Sequence, residues 1–281
     1  MIRLILFRLL AALPNLFGVV VITFLLTRAL PGDPAAYFAG GSATQEAVEE
    51  VRRQLGLDRP LPEQFFRYLS ELARGDLGLS LTTGQPVLQE LLQRLPASME
   101  LVLIALFLAC AIAVPLGVLA AVRQGSWIDQ ACRLITTAGV SLPTFFTGLL
   151  LSYVFYFLLS VAPSPLGRLD PVWSPPPTVT GLYLVDAALA RDAGLMWACF
   201  KQLVLPVVTM AIFVLAPIAR MTRASMLSVL STDFVRTARA SGLSSSTVLL
   251  TYALRNALVP VITTLGVVFG LVGPALQPLW I

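Results

Sequence analysis

Asp233–Pro260, DFVRTARASGLSSSTVLLTYALRNALVP, decides how this chain is read. It is a polar stretch bearing Arg236, Arg239 and Arg255, set between two strongly apolar runs. Ser231 or Thr232 can cap a helix, and Asp233 suits its first turn, where a negative charge meets the helix dipole. Gly242 is a natural stop. Between them lie about two and a half turns. At about 100° per residue, Phe234, Thr237, Ala238 and Ser241 fall on one side, with Arg236 and Arg239 on the other. The small residues Ala238, Ala240 and Ser241 would let another protein's surface approach closely. Ser244 then starts a second helix that runs through Arg255 into the next apolar run. A solvated linker would explain the arginines equally well. It would not need a glycine break between two helical segments at a fixed distance before a proline. Asp233–Gly242 therefore reads as a docking element for a cytosolic partner.

The flanking runs make this a membrane protein. Of 281 residues, 57% are hydrophobic and 12% charged. Soluble domains carry about 25% charged residues. A bilayer span needs about 20 apolar residues. Five runs qualify: Leu9–Thr27, Leu101–Val122, Leu134–Gly167, Gln202–Ala219 and Asn256–Ile281. Alternating segments of the barrel type are absent. The expectation is an all-α polytopic membrane protein with five transmembrane helices. Arg3 and Arg8 before the first run resemble the start of a signal peptide. The run is long enough to span and no small-x-small cleavage site follows, so it is read as a retained first helix.

Arginine placement orients the spans, because basic residues collect on the cytoplasmic side. With the N-terminus inside, the inner segments hold nine basic residues and only Asp129 and Asp233 as acids, a net of +7. The outer segments net −3. The basic pI of 9.2 is thus explained by topology and gives no hint of nucleic-acid binding.

Residues 1–281 read as one transmembrane domain. The outer region 31–97 carries two amphipathic helices. One follows a capping-box pattern, Ser42-Ala43-Thr44-Gln45, and stops at Gly56. The other starts at Pro62 and stops at Gly75, with Phe65, Phe66, Leu69 and Leu72 along one side to pack on the outer ends of the spans. The second span, roughly Ser98–Val122, carries Pro115-Leu116-Gly117, a kink signal. A short inner loop, RQGSWIDQACR, leads to the third. That span contains SLPTFF, in which Pro143 is flanked by Ser141 and Thr144. These three residues mark either a mobile, pore-lining helix or a merely kinked structural one. A proline-rich outer segment then offers a short helix, LYLVDAALA. The inner loop 220–256 precedes the last span.

Several chemistries are excluded. The chain has no histidine, which removes imidazole-based metal sites and serine–histidine catalysis. Cys110, Cys132 and Cys199 are scattered and fit neither a disulfide framework nor a metal site. The one lysine, Lys201, precedes Gln202, so GxxxxGK[ST] cannot occur and energy must come from a partner.

VRTARASGL followed by YALRNALVPVI resembles the permease signature of ABC importers, specifically the B-type subunit of the dipeptide/oligopeptide/nickel permease family. LPGDPA, LGLDRPLPEQFFRYL, GDLGLS and SLPTFFTGLLL are similar to that family in the same order, from Met1 to about Gly270. Against the general importer motif, which begins Glu-Ala-Ala, Ala238 and Gly242 fit, while Arg236 and Thr237 occupy the two preceding positions. The resemblance implies a type I importer permease in a prokaryotic cytoplasmic (inner) membrane. It also implies a second permease subunit, two ATP-binding subunits and an external solute-binding protein. No cofactor is expected in this chain, since ATP is bound by the partners. The helix around Asp233–Ser241 would sit in a cleft of an ATPase. Peptides are the implied solutes, and nickel is less favoured without histidine. The family has a sixth span, whereas GLVGPALQPLWI departs from its pattern, so five spans would leave the C-terminus outside.

Two other function classes fit these residues less well. An ion-coupled secondary transporter usually places ionisable residues within its spans, and the five runs hold none in their interiors. An intramembrane enzyme would lack its usual parts, because serines in membrane helices commonly serve helix–helix hydrogen bonding.

Overall fold

The structure, a computed structural model, describes residues 2–29, 33–40, 43–80, 83–165 and 167–275. The described residues form helices with no strand. They fall into two compact units, Met1–Leu92 and Gln93–Ile281.

The first unit begins with α1 (Ile2–Ala29), a 28-residue helix whose apolar side chains are mostly exposed. Three short helices follow: α2 (Pro34–Ala39), α3 (Gln45–Gln54) and α4 (Leu61–Ala73). Thr44 caps α3 by accepting from the Ala47 N–H, two residues later than the expected cap at Ser42. Ser42 lies outside the described residues. Gly56 ends α3 at φ +67°, with the Leu57 N–H on the Arg52 carbonyl, a left-handed stop that glycine adopts without strain. The apolar side expected for α4 divides. Phe65 meets Phe17 and Phe24 of α1 edge-on at 6.3 and 5.1 Å, and Tyr68 stacks on Phe24. Phe66 stays 70% exposed. Beneath them the buried Gln64 amide donates to the Leu57 and Arg59 carbonyls and accepts from Arg28 Nε at 2.8 Å.

The second unit is organised around α9 (Ala193–Leu230), a 38-residue helix continuous through Pro206 and Pro217. It is longer at both ends than the expected fourth span, because neighbouring helices supply packing where proline removes a backbone donor. α5 (Val87–Val122) likewise starts well before Ser98 and runs through Pro96 and Pro115. Ala105, Ala109 and Ala113 of α5 are fully buried against Val207, Met210, Val214 and Ile218 of α9. Val261 and Val268 of α12 (Arg255–Ala275) complete this core. Small residues at such a crossing bring two helix backbones close. Gly117 is the extreme case: a Cβ there would stand 2.6 Å from Thr222 Cβ and 2.8 Å from the Ala219 carbonyl. The expected kink at Pro115-Leu116-Gly117 is therefore a point of helix contact.

Among the described residues, four helices are long and apolar enough to cross a membrane: Ile5–Arg28, Val87–Val122, Ala193–Leu230 and Ser245–Leu271. The expected third span, in which Pro143 signals either a mobile or a kinked helix, is broken. α6 (Trp127–Ser141) and α7 (Thr144–Ser152) meet at 93°, and α7 continues as a π-helical stretch, Tyr153–Leu158. Counted as one broken span, the pair makes five. The expected last span is described as far as Ala275, and its remaining residues lie outside the described ones.

Between the broken span and α9, residues 163–192 are held by buried acids. Glu100 of α5 is 4% exposed. It accepts from Arg168 Nη2 and the Leu184 N–H, each at 2.7 Å, and from the Tyr183 N–H at 3.2 Å. The Arg168 guanidinium also lies 3.7 Å over the Tyr183 ring. Asp186 of α8 (Tyr183–Leu189) accepts from the Thr180 hydroxyl and from the N–H groups of Val179, Thr180 and Gly181. Burial would push the Asp186 carboxyl up, but these donors outweigh it and hold the group below the usual carboxylate range. A depressed folded value means that this contribution is intact above the unfolded value and is lost as pH falls through the folded one. Hydrogen-exchange protection at Thr180 and Gly181 should therefore hold at neutral pH and fall as the solution is taken below about pH 4. Asp186→Asn should lower it at neutral pH. Protection independent of both pH and this substitution would contradict the assignment.

Candidate functional site

The polar stretch after α9 folds as a short helix, α10 (Asp233–Ala240), capped by Thr232 and ended by Ser241 and Gly242. Thr232 caps through its backbone, because its hydroxyl donates to the Val229 carbonyl at 2.6 Å. Gly242 takes φ +75°. Its N–H reaches the Arg239 carbonyl at 3.0 Å and the Leu243 N–H the Ala238 carbonyl at 3.4 Å, the paired bonds that satisfy a helix's last carbonyls. Ser244 accepts from the Thr247 N–H and caps α11 (Ser245–Thr247). A π-helical stretch, Val248–Leu254, then leads into α12. Nothing in the sequence signals this wider turn.

α10 has one face turned into the protein. Val235 is fully buried and Ala238 is 5% exposed, packed with Val248 and with Val229 and Leu230 at the end of α9. This corrects the reading of Ala238 as a surface for close approach by a partner: its small size serves packing inside this chain. The outward face carries Phe234, 45% exposed, with Thr237, Arg239, Ala240, Ser241 and Gly242 also exposed. Asp233 and Arg236 are largely solvated, 3.4 Å apart. The Thr237 and Ser241 hydroxyls donate back to the Asp233 and Thr237 carbonyls. The solvent-facing surface is thus one aromatic ring flanked by guanidinium groups on a helix braced from behind.

Ser141, Pro143 and Thr144 lie at the break between α6 and α7, away from α10 in sequence. Leu142 is extended, at φ −97° and ψ 134°, the conformation that a following proline favours. Ser141 Oγ donates to the Thr137 carbonyl at 2.8 Å. Phe145 and Phe146, just beyond, are about half exposed.

Like the Glu100 network, a second buried charged cluster has no local signature in the sequence. Asp129, in the first turn of α6, is 1% exposed. Arg223 of α9 donates to it from Nε at 2.7 Å and from Nη2 at 2.8 Å, a two-point guanidinium–carboxylate pairing. The Gly125 N–H adds a third bond at 3.0 Å, and Arg133 Nε stands at 3.7 Å. The pair ties the inner loop expected between spans two and three to the end of α9, from which α10 hangs. Its members are 94 residues apart, so spacing carried no signal.

Residues 113–275 match the family described as binding-protein-dependent transport system inner membrane component, and residues 1–102 match its N-terminal counterpart. The chain belongs to this family of transport permeases. It is 47% identical over 253 residues to a probable D,D-dipeptide transport system permease protein of Escherichia coli K12, covering 90% of this chain and 74% of that one. It is 41% identical over 259 residues to a di/tripeptide transport system permease protein of Pseudomonas aeruginosa, covering 92% and 76%. A glutathione transport system permease protein of Escherichia coli is 38% identical over 263 residues, covering 94% and 76%. The permease is accordingly a multi-pass inner-membrane protein of an ABC import system. The ion-coupled alternative finds no support among these relatives.

Proposed function

We propose that this permease forms half of a translocation path for peptides or similar small solutes. A second permease subunit completes the path, two ATP-binding subunits drive it, and an external solute-binding protein delivers the substrate. The N-terminus lies in the cytoplasm. Asp233–Gly242 is the element that docks into an ATP-binding subunit, and Ser141, Pro143 and Thr144 line the path where α6 and α7 break. The relatives named for dipeptides, di/tripeptides and glutathione support the solute class.

The observation that carries the docking role is the two-sidedness of α10. Val235 and Ala238 fix it to α9 while Phe234 and the arginines face solvent. Aromatic residues and arginine are enriched where proteins meet, relative to the rest of their surface. Phe234→Ala should weaken binding to the ATP-binding subunits about tenfold or more with membrane insertion unchanged, read by titrated co-purification. Undiminished binding would count against the role. A cysteine at Ser241 should resist a membrane-impermeant reagent in intact cells and react after permeabilisation. Labelling in intact cells would reverse the orientation.

A further inference from the structure

We infer that the Asp129–Arg223 pair is a coupling latch, with both residues acting as positioning residues that carry α10's displacement into the broken span. This rests on the transport reading above. Each link is a contact in the structure. α10 is seated by Val235 and Ala238 on Val229 and Leu230, so it moves with the end of α9. Only Ser231 and Thr232 separate the two helices. Arg223 lies on the same end of α9 and grips Asp129 through two nitrogens. A bond made at two points transmits rotation as well as translation, which a single contact does not.

Asp129 in turn belongs to the start of α6. Ser126 caps this helix, with the Asp129 N–H on its Oγ, and the Gly125 N–H binds the Asp129 carboxylate. The turn 123–126 and the first turn of α6 are therefore one rigid piece around that carboxylate. α6 then runs to Ser141 and the break at Pro143. Along the way Gly139 lets it approach α9 closely: a Cβ there would stand 3.3 Å from the Ile212 carbonyl. α6 is thus held to α9 at two levels, by the ion pair at the α10 end and by backbone contact near the break. Between the two levels Cys132 and Thr136 are buried, so the ion pair is the charged part of a longer contact.

Three hydrogen bonds already reach the carboxylate. Arg223 and Gly125 occupy it, and Arg133 stands beside it. A purely structural staple would explain the same burial, so the test must separate holding from transmitting.

In the assembled transporter in nanodiscs, solute uptake per ATP hydrolysed should fall at least tenfold in Asp129→Asn, with hydrolysis persisting. Arg223→Lys, which keeps the charge and loses the two-point grip, should give an intermediate ratio. The exchanged pair Asp129→Arg with Arg223→Asp should recover part of it. An unchanged ratio in both single variants would overturn the latch. So would a parallel loss of uptake and hydrolysis, or failure of every variant to assemble, since either marks a staple. Uptake by the unmodified assembly tests the transport reading separately. In the chain alone, faster hydrogen exchange at Gly125 and Asp129 in Asp129→Asn is expected whether or not that reading stands, and unaltered exchange there would also overturn the latch.

Discussion

Glu100→Ala should destabilise the second unit by about 3–5 kcal/mol, the range for removing one partner of a buried ion pair. Three donors converge on this carboxylate from residues 168, 183 and 184. Its loss removes the counter-charge of Arg168, which keeps its bond to the Gly181 carbonyl at 2.9 Å, and leaves the N–H groups of Tyr183 and Leu184 without this acceptor. The expected result is a lower melting temperature together with new protease cleavage between residues 163 and 192. Glu100→Gln, which still offers one carbonyl oxygen, should fall between the two. If neither melting nor cleavage changes in Glu100→Ala, the network does not hold this segment.

Gly117→Ala and Gly266→Ala should move stability in opposite directions. At Gly117 the new methyl meets Thr222 Cβ at 2.6 Å and the Ala219 carbonyl at 2.8 Å. A backbone carbonyl cannot swing aside, so α5 and α9 must separate, with an overpacking cost of about 1–3 kcal/mol. At Gly266, in α12, nothing lies within 4 Å of the added carbon. There alanine's better helix propensity should stabilise by about 0.5–1 kcal/mol. Gly117→Val should prevent a monodisperse product. A Gly117→Ala protein melting at or above the unmodified temperature would show that the two helices are not in this contact.

What could be read in the sequence follows from the range of the forces involved. α10, its stop at Gly242 and the new start at Ser244 were legible because caps and left-handed glycines act within a few residues. Which face of α10 turns inward was not. Phe234 and Val235 are both apolar, and the choice depends on Val248 and on the end of α9. The break at Pro143 was visible as a proline beside hydroxyl residues, but its 93° angle was not. Glu100 and Asp129 sit beside apolar runs and look like boundary charges. Their partners lie 68 and 94 residues away, so no local pattern marks them as buried. Gly117 beside Pro115 suggested a kink for the same reason: the helix that needs its missing side chain is far along the chain.

The uninterrupted 38-residue course of α9 sets a standoff. At 1.5 Å per residue it is roughly 57 Å long, against a hydrocarbon layer of about 30 Å. Even with the ordinary tilt of membrane helices, close to half of it must project beyond the lipid tails. That excess is shared between the two ends of α9, and the stretch 220–230 after the apolar run carries α10 about 16 Å further along the helix axis.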